Sequence, residues 1–171
     1  MAASAHTFVP IELYLRSSYE PDAEYVDGEI EERPMGEYDH ASWQEAILYW
    51  FRQHAQVWNT RAKPELRVQV APTRYRVPDV AVLDRDRPIE QIITQPPVAV
   101  FEALSQEDTM TRVMRKLNDY AAMGIPHIWV IDPKGPKSWQ FQNGQLKSTS
   151  TFGAPGDRIQ FSIAEIQELL D

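Results

Sequence analysis

Two carboxylates stand where strand residues are normally apolar: Asp79 in VPDVAVL (77–83) and Glu102 in VAVFEAL (98–104). Side chains alternate across a strand, so Val98, Val100, Glu102 and Leu104 share one face and Ala99, Phe101 and Ala103 the other. Both faces are apolar, the pattern of a central strand covered on two sides. An ionised carboxylate there is costly unless protonated, paired with a cation or bound to a metal. The alternative is that Glu102 lies at the strand's exit and reaches water. Asp79 shares a face with Val77, Ala81 and Leu83, and its own alternative is a turn residue after Pro78. If the two strands are neighbours, about 4.8 Å apart, both acids converge on one hard cation. Oxygen ligands with room for waters suit Mg²⁺ or Mn²⁺. No histidine or cysteine cluster points to zinc.

A third chemical group follows on a helix. Its apolar stripe runs Met110, Val113/Met114, Leu117, Ala121. Lys116 borders that stripe and stacks with Arg112 and Tyr120 at i−4 and i+4. It either leans over the strand ends, where an ammonium balances the acids and meets a phosphate oxygen or a water, or is a solvated surface lysine.

The elements that must hold these groups are legible in outline. Pro10 and IELYLRSSY read as a short helix, and AEYVDGEIEER as a hairpin turning at Asp27-Gly28. Residues 40–58 read as a long amphipathic helix with Trp43, Ile47, Trp50, His54 and Val57 on one face and Asp39 as its N-cap. Strands are expected at 65–70, 77–83, 98–104 and 127–132, with a loop over 84–97. A helix over 109–123 stops at Gly124 and Pro126, a second hairpin turns at Asn143-Gly144, and FSIAEIQELL closes as a short helix. The order predicts one α/β domain with a mixed sheet under helices.

Charge limits the partners. The chain of 171 residues has a formal net charge of −8. Residues 1–40 carry ten acids and two arginines, so the acidity belongs to the N-terminal quarter. A sequence-independent nucleic-acid binder is normally basic overall, so any such contact here needs a local patch. The absence of cysteine excludes disulfides and thiolate metal sites and is compatible with a cytoplasmic location. The start, MAASAHTFVPIELYLR, has no basic n-region or long apolar run, so neither a signal peptide nor a membrane span is expected.

Taken together, YRVPDVAVL, FEALS, RKLNDYAAMGIPHIWVIDP and the upstream EYVDGEI followed by a histidine resemble the Uma family. These are restriction-endonuclease-type proteins of the PD-(D/E)xK nuclease superfamily. The likeness runs over roughly residues 10–170, with the landmarks in the family's order. It implies a single restriction-endonuclease-like α/β (α+β) domain, a central mixed sheet flanked by helices, with an N-terminal helix and hairpin. The superfamily's Asp falls on Asp79 and its Glu on Glu102. The superfamily's lysine position on that strand is Leu104, and the family's migrated lysine falls on Lys116. Glu24 matches an acid before the Asp-Gly turn, and His40 a histidine at the start of the long helix. Glu45, an alternative auxiliary acid, projects away from Trp43 and Ile47 and is expected in solvent.

The resemblance implies Mg²⁺- or Mn²⁺-dependent hydrolysis of DNA. Asp79, Glu102 and the carbonyl of Ala103 would hold the ion, Lys116 and Glu24 would complete the catalytic set, and Arg74, Arg76 and Arg112 would hold phosphates. A homodimer would suit double-strand cleavage. The displaced lysine and the overall acidity equally suit an inactive nuclease-fold module, and the residues do not separate DNA from RNA.

Overall fold

The structure, a computed structural model, describes residues 8–135 and 137–170. The expectation about the chain's start falls partly on residues 1–7, outside the described residues. The elements run α1 (Ile11–Leu15), β1 (Ala23–Val26), β2 (Glu29–Glu32), α2 (Tyr38–His54), β3 (Thr60–Pro64), β4 (Val68–Ala71), β5 (Arg74–Arg76) and β6 (Val80–Asp84). Then come β7 (Ala99–Ala103), α3 (Met110–Met123), β8 (His127–Asp132), β9 (Lys137–Gln142), β10 (Gln145–Ser148), β11 (Thr151–Phe152), β12 (Phe161–Ser162) and α4 (Ile163–Gln167).

A six-stranded sheet in the order β10-β9-β8-β7-β6-β3 forms the centre. It is mixed: β7 and β8 are parallel, and the other neighbours antiparallel. The parallel pair needs a crossover, which α3 supplies. Thr109 caps α3 by accepting from the Arg112 amide, and Gly124 ends it at φ +93°, a left-handed conformation that glycine adopts without steric cost. One face of the sheet packs Phe101, Trp129 and Ile131 against Trp43, Ile47 and Phe51 of α2. The other packs Val100, Ile128 and Val130 against Val113, Leu117 and Tyr120 of α3. The two-sided burial expected of the Glu102 strand is therefore present, and all five β7 residues are buried.

The central mixed sheet is as expected, and beside it stand a second sheet, which takes in the N-terminal hairpin, and a two-stranded ribbon. A four-stranded sheet, β2-β1-β5-β4, stands apart from the central one. Its core with α1 is a tyrosine cluster of Tyr14, Tyr25 and Tyr75. The stretch read as one strand over 77–83 hides the change of sheet: β5 ends at Arg76, and Val77-Pro78-Asp79 carries the chain across to β6.

Further differences have local causes. Helix α2 is capped at Glu37 rather than Asp39, which sits in the first turn, where a carboxylate suits the helix dipole. The helix stops at His54, Asn59 reverses the chain at φ +52°, and Val57, expected on the buried face, is 81% exposed. Residues 55–59 are turn, and the chain beyond the reversal forms the edge strand β3. Both Asx-Gly turns form as expected, with positive φ at Asp27, Gly28, Asn143 and Gly144, the two-residue turn that matches strand twist.

Candidate active site

The Val77-Pro78-Asp79 crossover is buried irregular backbone, and its polar groups need partners. Side chains from three elements provide them. Glu24 of β1 accepts from the Val77 amide at 2.9 Å. Lys116 of α3 donates to the Val77 carbonyl at 3.1 Å, and Gln44 of α2 donates to the Asp79 carbonyl at 2.8 Å. Proline at position 78 has no amide to satisfy. The crossover thus gathers the chemical groups.

Antiparallel pairing of Val80 with Phe101 brings Asp79 beside Glu102 at the end of the strand pair. Asp79 Oδ2 accepts from the Ala103 amide at 2.8 Å and lies 3.2 Å from His40 Nε2. Its Oδ1 accepts from Arg33 Nη2 at 2.6 Å. Lys116 Nζ lies 2.7 Å from Glu24 Oε1 and 2.9 Å from Glu102 Oε1. Tyr120 donates its hydroxyl hydrogen to the same Glu102 oxygen at 2.6 Å. Asp79, Glu102, Lys116, Glu24, His40 and Arg33 share the wall of one cavity of about 640 Å³.

Electrostatics separate the acids. Burial works to raise the pKa of Asp79, but His40, Arg33 and Lys116 outweigh it and hold the carboxyl down at about 2. Burial likewise opposes ionisation of Glu24, and Lys116 and Arg76 overcome it, so its pKa is lowered. Glu102 goes the other way. Burial dominates, the carboxylates of Asp79 and Glu24 add to it, and Lys116 does not compensate, so its pKa is pushed up to about 8. Burial pulls the Lys116 ammonium down, but Glu102 and Glu24 hold it above its ordinary value. The hydrogen bond to Asp79 raises His40 against its own burial. The site therefore pairs a firmly ionised carboxylate with one whose ionisation burial opposes.

The donor set fits a hard divalent cation. Asp79, Glu102 and Ala103 all line the cavity, and the side-chain donors are oxygen. Oε1 of Glu102 is held by Tyr120 and Lys116, whereas Oε2 accepts no hydrogen bond from the described residues. Among the described residues no group of three or more His, Cys, Asp and Glu side chains is placed to hold a metal.

The arginines expected at phosphates fare differently from one another. Arg76 is 1% exposed and is a hub: Nη1 lies 3.0 Å from Glu24 Oε2 and 2.9 Å from Glu31 Oε2, and Nε lies 2.8 Å from Asp119 Oδ2. It is too deeply committed for a phosphate contact, and this corrects its expected role. Arg74 is paired with Asp27 and Asp119. Arg112 lines the cavity, donates to the Glu32 carbonyl and stays largely exposed, so a cavity-facing contact remains open to it. Glu45 is exposed, as its helical angle required.

Arg33, Gln44 and Tyr120 complete the site without having been expected there. Tyr120 had a signal, since it stacks one turn from Lys116. Arg33 had none: it follows β2 in the segment RPMG, and only the folded hairpin carries it to Asp79.

Known proteins share this architecture. A solved structure described as a "putative nuclease belonging to DUF820" from Anabaena variabilis superposes with a TM-score of 0.81 at 21% identity, covering 94% of this chain and 98% of that one. At that identity the likeness shows the fold. A cryo-electron microscopy structure of a DrdV–DNA complex matches with a TM-score of 0.42 at 16% identity, over 74% of this chain and 10% of that one. No curated protein matches in sequence. The family model Uma2, described as "Putative restriction endonuclease", matches residues 11–163. With most of its length matched in this way, the chain belongs to the Uma2 family.

Proposed function

We propose that this protein is a divalent-metal-dependent endonuclease that hydrolyses DNA phosphodiester bonds, with Mg²⁺ or Mn²⁺ as its ion. The observation that carries the reading is the meeting of Asp79, Glu102, Glu24 and Lys116 on one cavity wall from four separate stretches of chain. Asp79, Glu102 and the Ala103 carbonyl would hold the ion. When bound there, it supplies Lewis-acid polarisation of a phosphate and acidifies a water.

The chain's own groups do the rest. Lys116 is kept as an ammonium between Glu24 and Glu102, and so offers positive charge to a phosphoryl oxygen or a hydrogen bond to a water. Glu24 orients Lys116, and Tyr120 fixes the Glu102 carboxyl. His40 and Arg33 keep Asp79 ionised at any physiological pH. Arg112, on the cavity rim, is placed to meet the phosphate backbone.

One observation favours a second reading, an inactive nuclease-fold binding module. Arg33 and Lys116 already neutralise Asp79 and Glu24 within the protein. The test is conversion of supercoiled plasmid to nicked or linear DNA with Mn²⁺ and Mg²⁺, run beside Asp79→Asn and Glu102→Gln. Even partners of metal ligands cost about 10–100-fold when removed, so each variant is expected to lose at least about 100-fold in rate. Cleavage that survives both substitutions sinks this assignment of the site. Calorimetric titration with Mn²⁺ separates the two readings, since a dead module shows no binding that depends on Asp79.

A further inference from the structure

A second concavity, of about 1180 Å³, lies on the opposite flank of α2, walled by α2, β3, the end of β6 and the 85–97 segment. Ala41 and Gln44 line both it and the active-site cavity, so the two adjoin at one turn of α2. Their charge is opposite. The active-site wall carries nine carboxylates against four lysine and arginine side chains. The second groove carries five cations, Arg52, Arg61, Lys63, Arg85 and Arg87, against three acids.

The balance of partners widens the contrast. Around the active site, Arg33, Arg76, Arg112 and Lys116 are all within reach of carboxylates. In the groove, Arg61 and Arg87 donate only to the carbonyls of Arg85 and Pro96, which are neutral acceptors. The side chains of Arg52, Lys63 and Arg85 have no hydrogen-bond or ion-pair partner among the described residues, and all three residues are exposed. Of the groove's acids, Asp84 faces Arg158 at 3.6 Å and Glu90 is bound to Thr94. The net positive charge of the groove is thus uncompensated. Arg61 and Lys63 sit two apart on the edge strand β3 and so share one face of it.

A polyanion cannot be held mainly by a wall of nine carboxylates, whose field repels it while attracting cations. Cations free of carboxylate partners, next to that wall, supply what the wall lacks. We infer that the α2–β3 groove is the track for the nucleic-acid backbone, binding the phosphates that flank the scissile one while the acidic cavity is reserved for the metal and the reacting phosphate. Tyr49, 53% exposed on the groove wall, offers a ring face to a base. The inference rests on the proposed hydrolysis for its choice of ligand, and it names the surface that Arg74 and Arg76 do not provide.

The test is fluorescence anisotropy of an end-labelled DNA duplex over a salt series, with Ca²⁺ in place of Mg²⁺. The variant is Arg52→Ala/Lys63→Ala/Arg85→Ala, which removes no side-chain hydrogen bond of the fold. A control, Arg16→Ala/Lys137→Ala/Lys147→Ala, removes equal charge elsewhere. Each lost phosphate contact lowers the slope of log K against log salt by about 0.9. The groove variant is therefore expected to lose about 2–3 from the slope and at least about tenfold in affinity, with Mn²⁺ binding unchanged and the control like wild type. An unchanged slope, or an equal loss in the control, overturns the inference. Wild-type protein that cuts DNA without groove dependence would refute the track alone. Groove-dependent binding without cleavage would keep the track and refute the hydrolysis.

Discussion

Arg76 offers the sharpest separation between a phosphate contact and a structural hub. Its guanidinium is 2% exposed and engages Glu24, Glu31 and Asp119 at 2.8–3.0 Å. Arg76→Met keeps the stem and removes the charge. Glu24 then retains Lys116, Asp119 retains Arg74, and Glu31 retains Arg115, but Glu24 and Asp119 are themselves almost wholly buried. Breaking a buried ion pair by removing one partner costs about 3–5 kcal/mol. For a domain of this size each kcal/mol shifts the melting temperature by about 2–4 °C. The expected fall is roughly 6–20 °C, measured by calorimetry at about pH 7. Arg158→Met is the internal comparison: its contact with Asp84 is 3.6 Å long and partly exposed on both sides, and such pairs contribute about 0–1 kcal/mol. If Arg76→Met melts within about 2 °C of wild type while DNA binding collapses, the hub is wrong and the phosphate role stands.

Two further outcomes follow from the same geometry. Glu102 is protonated below about pH 8 in the folded protein, against an ordinary 4.5. A raised carboxyl pKa stabilises the fold fully below the unfolded value, and that contribution is lost as pH rises toward 8; a cation at the site must displace the proton. Mn²⁺ affinity, read by calorimetry in two buffers of different ionisation enthalpy, is expected to rise about tenfold per pH unit up to about 8 and then flatten, and a flat profile from about pH 6 to 8 contradicts the assignment. Gly153 sits at φ +77°, where any added Cβ would collide with the Ile159 carbonyl oxygen, whereas Gly156, at φ +89°, has open space. Gly153→Ala is expected to cost about 1–3 kcal/mol or more, and Gly156→Ala about 1 kcal/mol or less; equal melting temperatures for the two would show that backbone crowding does not operate there.

Much of the site was legible because its acids break a local rule. Asp79 and Glu102 interrupt apolar strands, and that inconsistency points to a role whatever the fold. Lys116 was legible as a boundary residue of an amphipathic helix. The change of sheet at Val77-Pro78-Asp79 was hidden, since the run alternates as one continuous strand and nothing local marks which sheet each residue pairs with. The burial of Arg76 was hidden for a related reason. An arginine in a strand reads as surface until its three carboxylates arrive from β1, β2 and α3. Arg33 and Gln44 depend on how the hairpin and α2 dock, which periodicity does not encode.

The crossover between the sheets also bears on how such a protein can age. Glu24 and Lys116 tie down the Val77 peptide, so folding alone is reason enough to keep them. Among the described residues His40 holds no backbone group through its ring, and its one side-chain partner is Asp79. Under the proposed hydrolysis, a lineage that gave up catalysis would therefore be freer to change its histidine than its lysine, because only the lysine also holds the backbone together.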